Sequence, residues 1–228
     1  MPDSPRIGEL ESRIVNVSSR QIDLATPEDV KQAVKEAKRY RGVEWFRQYG
    51  TAPVEAWYLA GQMTCGGLST YTVPADTLFA IPFHSGRGGR IDGAAFRLTG
   101  GNAATRVARI GLYSNTSDTK LYPYQLVVDF GEQDCSTAGV KNTAATTVLA
   151  EDTPYWAAFV GNNAALIIRS MVRDDVHPCF GIDSAFGTSA GWGLSVAFTY
   201  AALPQNFPGG ATIATGADVP AIGFRLYG

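Results

Sequence analysis

The most reactive side chains in this sequence fall in one short run, Arg173-Asp-Asp-Val-His-Pro-Cys-Phe180. His177 and Cys179 stand two residues apart, and Asp174 and Asp175 lie just upstream. A thiol becomes a strong nucleophile when a nearby imidazole takes its proton and a third group orients the imidazole. The same residues also offer metal ligands. Two features argue against both chemistries. Adjacent Asp174 and Asp175 point to opposite sides of an extended chain. No nucleophile elbow and no paired zinc spacing surrounds the run. The expectation is a polar loop closed by Pro178, with no catalytic residue, no metal ligand and no cofactor.

The other histidine, His84, precedes Ser85-Gly-Arg-Gly-Gly-Arg90. This glycine-rich run invites a phosphate-loop reading, but it lacks the Gly-Lys-Ser/Thr ending and no helix follows. A basic hairpin loop is expected, with Arg87 and Arg90 open to an acidic partner or a surface polysaccharide. Glycan hydrolysis needs two carboxylates facing one groove. Asp118, Asp129, Glu132, Asp134, Glu151, Asp152 and Asp183 are available, mostly in turn-like segments. Sequence alone does not say whether any two converge.

The chain has 228 residues, 45% hydrophobic and 18% charged, which is ample for a real core. Its net charge of −2 argues against a generic nucleic-acid or membrane-surface binder. No run is long and apolar enough for membrane insertion. Cys65, Cys135 and Cys179 lie far apart with no CxxC pair. Three buried free thiols are expected, with folding in a reducing cytoplasm and no signal peptide.

Charge density divides the chain. Residues 1–50 hold 9 of the 19 Lys and Arg and 8 of the 21 Asp and Glu. Within them Thr26 can cap a helix that starts at Pro27, with Glu28 and Asp29 in its first turn. Val30, Ala33, Val34, Ala37 and Tyr40 follow at helical spacing, and Gly42 can end it. Upstream, Ile7, Leu10, Ile14 and Val17 fit the a and d positions of two heptads. The stretch Arg13-Ile-Val-Asn-Val-Ser also alternates as an extended arm would, so both readings stay open. Ile7, Leu10, Ile14, Val17, Val30 and Val34 are the candidate oligomerisation residues. Residues 1–50 read as an assembly stem and 51–228 as a β domain.

Short segments with period-2 alternation, bounded by Gly, Asn, Asp, Ser or Pro, mark strands along the second part. They are Glu55–Ala60, Leu78–His84, Asp92–Leu98, Arg106–Tyr113, Leu121–Asp129, Ala144–Leu149, Tyr155–Gly161, Ala164–Ser170, Trp192–Tyr200 and Ala221–Tyr227. Gly161-Asn162-Asn163 suggests a tight hairpin between two of them. The fold expected is mainly β, a jelly-roll-like two-sheet β-sandwich preceded by a short helical N-terminal anchor. Tyr113 and Trp156 are expected in its core.

Several phrases of this part carry a likeness. They are Ile81-Pro-Phe-His, Gly89-Arg-Ile-Asp-Gly-Ala-Ala-Phe-Arg-Leu, Arg109-Ile-Gly-Leu-Tyr-Ser-Asn, Thr153-Pro-Tyr-Trp-Ala-Ala-Phe-Val-Gly, Leu203-Pro-Gln-Asn-Phe-Pro-Gly-Gly and Pro220-Ala-Ile-Gly-Phe-Arg. Together they resemble a module of tailed-bacteriophage virion appendage proteins such as tail fibres, tail spikes and head fibres. The likeness spans about residues 70–228. It implies a virion protein assembled in the host cytoplasm, a homo-oligomer that is commonly threefold, with other virion proteins and host surface glycan as partners. It implies no catalytic residue. A head-decoration or adaptor protein, and a small polysaccharide-degrading enzyme, are the competing readings.

Overall fold

Leu78, Phe79, Ala80, Ile81 and Phe83 are consecutive or nearly so along one strand, and all are buried. A strand apolar on both faces needs a covering layer on each side. The structure, a computed structural model, supplies both layers. It describes residues 57–60, 67–86, 88–117, 120–172, 191–215 and 218–226. The stem residues Ile7, Leu10, Ile14, Val17, Val30 and Val34 and the loop with His177 and Cys179 lie outside the described residues.

The described strands are β1 (Trp57–Leu59), β2 (Leu68–Thr72), β3 (Thr77–His84), β4 (Gly89–Gly100), β5 (Val107–Ser117), β6 (Lys120–Asp134), β7 (Gly139–Thr143), β8 (Thr147–Leu149), β9 (Pro154–Gly161), β10 (Ile167–Val172), β11 (Gly193–Ala197), β12 (Thr212–Ala214), β13 (Asp218–Pro220) and β14 (Gly223–Leu226). No helix occurs among the described residues. A six-stranded antiparallel sheet runs β12-β11-β3-β9-β5-β6. An eight-stranded sheet runs β1-β14-β4-β10-β13, with β2 on β10 and with β7 and β8 on β4. Along the chain the path keeps changing sheet: β3, β5–β6, β9 and β11–β12 lie in the first, while β4, β7–β8, β10 and β13–β14 lie in the second.

The two sheets share one core. Phe96 on β4 meets Phe159 on β9 edge to face, with ring centroids 5.2 Å apart. Phe224 on β14 lies 5.5 Å from Phe83 on β3 and 5.9 Å from Phe130 on β6. Each such aromatic pair adds about 0.5–1.5 kcal/mol beyond its buried area. Pro82 lies past Ala80, the last β3 residue that β11 pairs, where a missing N–H is tolerated.

Two local expectations fail. β9 and β10 do not form a hairpin about Gly161-Asn162-Asn163, because β9 pairs with β3 and β5 while β10 pairs with β2, β4 and β13. The reason lies in β9, where every residue after Pro154 is buried. Such a strand takes a central place with a neighbour on each edge. Asn162 instead pins the crossing: its N–H donates to Val107 O, its Oδ1 accepts from Val107 N–H, and its Nδ2 donates to Thr105 O. The link 85–88 is likewise no hairpin loop, since β3 and β4 lie in different sheets.

Candidate functional site

That crossing from β3 to β4 meets the turn between β8 and β9, and brings serine, histidine and aspartate together. His84 Nε2 lies 3.3 Å from Asp152 Oδ1. Ser85 is wholly buried beside them. The composition matches a hydrolytic triad, but the bonding does not. In a triad the second imidazole nitrogen faces the serine hydroxyl. Here Nδ1 of His84 accepts a 3.3 Å hydrogen bond from Gly86 N–H. The Ser85 hydroxyl donates to Ala150 O at 2.6 Å and accepts from Thr153 N–H at 3.0 Å. Asp152 N–H donates to Gly86 O at 2.7 Å. These bonds tie two inter-sheet turns to each other. They hold the ends of β3, β4, β8 and β9 together and engage the Ser85 hydroxyl with main-chain groups.

A second polar group forms on the outward face of the six-stranded sheet. β5 places Ala108, Ile110 and Leu112 in the shared core, so Arg109, Gly111 and Tyr113 face the other way. Arg109 Nη1 donates to Asp129 Oδ2 at 3.1 Å, and its Nη2 lies 4.0 Å from Glu132 Oε2. Tyr200 Oη donates to Glu132 Oε2 at 3.0 Å. Asp129 also accepts from Gly131 N–H at 2.8 Å and from Leu203 N–H at 3.2 Å. Two of the candidate glycosidase carboxylates therefore converge, but with a guanidinium between them. An ion pair and main-chain donors saturate Asp129, which suits it to holding the chain in place. Asp134 caps a turn, accepting from Ser136 N–H and Oγ–H, and these bonds hold its carboxyl below the usual range. Asp118, Asp183, Asp174 and Asp175 lie outside the described residues. No group of three or more metal-ligating side chains occurs among the described residues.

Over this polar group runs a strap, residues 198–211, which forms a second apolar layer. Leu203 and Phe207 pack with Leu78, Ala80, Tyr113, Trp156, Ala158, Val160 and Leu194. Tyr113 and Trp156 are indeed fully buried, but in this outer layer and not between the sheets. The reason is parity: both residues alternate with neighbours that fill the shared core. Gly111 makes room for the strap, because a Cβ there would fall 2.1 Å from Leu203 Cδ1. Tyr113 Oη donates to Pro204 O at 2.8 Å, and Tyr122 Oη donates to Pro208 O at 2.9 Å. The strap extends the free edge of β6 as well, through Leu126 N–H to Gln205 O and Phe207 N–H to Tyr124 O. Asn115 Oδ1 accepts from the Trp156 indole N–H and from Tyr122 N–H, both at 2.9 Å.

The sequence flagged Tyr113, Trp156 and the Leu203 phrase singly. It gave no sign that they touch, since Tyr113 and Pro204 are 91 residues apart. A signal was present in the alternation of Arg109, Gly111, Tyr113 and Asn115 along one strand face. No protein-family model matches this chain. No curated protein matches it either. Among the described residues no helix is long and apolar enough to cross a membrane.

Proposed function

We propose that this chain is a non-enzymatic structural protein of a tailed-phage virion, a tail fibre or similar host-facing appendage. In this reading a jelly-roll-like β-sandwich is attached through a helical or extended N-terminal anchor, as a homo-oligomer. One observation carries it. The phrases that resemble appendage proteins are not scattered surface features but parts of one assembly: Arg109-Ile-Gly-Leu-Tyr-Ser-Asn lies on β5, Tyr155-Trp-Ala-Ala beside it on β9, and Leu203-Pro-Gln-Asn-Phe-Pro straps both. The repeated change of sheet along the chain supports the jelly-roll description. The polar groups a hydrolase would use, Ser85, His84, Asp129 and Glu132, are engaged in holding loops and strap.

Gold-labelled antibody against the chain, imaged on intact particles by electron microscopy, tests the reading. Label at the tail tip is expected. Label spread over the capsid would favour a head-decoration role, and absence from particles would overturn the proposal. Incubation with host surface glycan is expected to release no fragments. Cleavage that Cys179→Ala or His177→Ala abolishes, with the fold intact, would make the chain an enzyme.

A further inference from the structure

The outward faces of the two sheets differ in kind. The strap closes that of the six-stranded sheet. On the eight-stranded sheet, a row of side chains crosses four strands. Phe96 and Leu98 on β4, and Ile168 on β10, fill the shared core. Arg97, between Phe96 and Leu98, therefore points outward, and so does Arg169, next to Ile168. Ile168 stands opposite Leu98, so the two arginines occupy the next position along each strand. Arg169 is opposite Thr70 on β2, and Arg97 is opposite Val140 on β7. Thr70, Arg97 and Val140 are exposed and Arg169 half-buried.

The Arg97 and Arg169 side chains make no hydrogen bond or ion pair with any described residue, whereas the Arg225 side chain on the same sheet binds Asp92 at 2.7 Å. Like charges side by side on neighbouring strands destabilise a sheet unless an anion lies between them. A guanidinium fork matches a carboxylate bidentately. Around the two forks Thr70, Thr72 and Asn142 offer exposed hydroxyl and amide groups. An acidic protein partner would need large apolar or aromatic anchors at the centre of the patch. The exposed large apolar side chains nearest this row, Val140 on β7 and Leu68 on β2, lie on its two outer strands and not between the arginines. Sugar hydroxyls fit the threonine and asparagine positions better.

We propose that this face binds a carboxylate-bearing polysaccharide, with Arg97 and Arg169 taking its carboxylates. The inference deepens the appendage reading and rests on it for the biological source of the glycan, but the binding chemistry belongs to the isolated chain.

The test is calorimetric titration of the full chain with alginate, a polyuronate, beside neutral dextran and poly-glutamate. Alginate is expected to bind and dextran not to. Poly-glutamate is expected to bind far more weakly than alginate; equal binding would overturn the glycan assignment. Arg97→Gln with Arg169→Gln should weaken alginate binding about tenfold or more, the loss expected from removing charge-assisted hydrogen bonds. If that pair lowers the melting temperature, the exposed Arg97→Gln alone carries the test and must still weaken binding, with Arg97→Lys recovering only part of it. Undiminished alginate binding by a folded variant would overturn the site. Particle labelling is read separately. Label at the tail tip without alginate binding would sink the site alone, and alginate binding by a chain absent from particles would sink the appendage reading alone.

Discussion

The Tyr113 hydroxyl, on the outward face of β5, donates a 2.8 Å hydrogen bond to the carbonyl of Pro204 in the strap. This bond and Leu203, seated over Gly111, fix the strap to the sheet. Tyr113→Phe keeps the ring against Phe207 but leaves the carbonyl without its donor. We expect a cost of about 1 kcal/mol, which lowers the melting temperature by about 2–4 °C in a domain of this size. Limited proteolysis should nick residues 198–211 faster in the variant. An unchanged nicking rate would show that the hydroxyl does not hold the strap.

Asn115 and Trp156 should behave as a coupled pair. Asn115→Ala removes the acceptor of a buried indole N–H and of Tyr122 N–H. Leaving buried donors unpaired costs about 1–3 kcal/mol. In a double-mutant cycle with Trp156→Phe, the double variant should lose less stability than the two single losses summed. Strict additivity in urea unfolding would show that the bond contributes nothing.

The strap should loosen in alkali. Burial, and secondarily the Asp129 charge, push the Tyr113 phenol well above the ordinary range. Burial and then the hydrogen bond to Glu132 do the same for Tyr200. A phenol whose folded pKa is raised contributes stability that is complete below the unfolded value of 10.0 and lost as pH rises above it. Melting temperature should therefore fall on the alkaline side of pH 10, and Tyr200→Phe should flatten that fall. Phenolate absorbance should show Tyr113 and Tyr200 titrating well on the alkaline side of pH 10.

Cys135 should resist alkylation. Burial pushes its thiol up to about 11, Lys141 offsetting and Asp134 adding a little. At pH 8 about one molecule in a thousand carries the thiolate. Iodoacetamide should label Cys135 only after unfolding, and denatured protein should show Cys65, Cys135 and Cys179 all free. Fast labelling of native Cys135 would contradict its burial.

Assembly should depend on residues 1–50. Light scattering of the full chain should give a homo-oligomer, and a trimer is expected from the likeness to fibre modules. A chain beginning at Thr51 should be monomeric. A monomeric full chain at micromolar concentration would defeat the self-assembly claim, and an unchanged oligomer after truncation would place the contacts in the β domain.

How much was legible in the sequence depends on what each strand reports locally. β3, β4, β5, β6 and β9 fall where alternation and turn residues placed them, because each carries its own burial pattern. β2, β7, β12 and β13 escaped. They are short, and Gly139-Val-Lys-Asn-Thr143 or Thr212-Ile-Ala214 has too few buried residues to stand out from a loop. Pairing was the harder matter. Asn162 and Asn163 have the chemistry of a hairpin turn, yet the buried faces of β9 sent β9 and β10 to different sheets. Arg109, Asp129 and Glu132 meet through the pairing of β5 with β6, whereas Tyr200 joins them from the strap, whose course no local pattern records.

The place of β14 has a consequence for synthesis on the ribosome. β14 lies between β1 and β4, joining Trp57 to Arg225 and Ala94 to Phe224 across the sheet. The last of the described strands is thus an interior strand, and Arg225 finds Asp92 across 133 residues. Until residue 226 has left the exit tunnel, β4 has an open edge along Ile91–Ala95 and the Phe83 and Phe130 rings lack Phe224. So many distant pairings make such a chain slow to fold, and its nascent form exposes strand edges that invite association. The eight-stranded sheet therefore closes only when residues 223–226 reach β1 and β4, and a chain cut back before Gly223 should give an insoluble product.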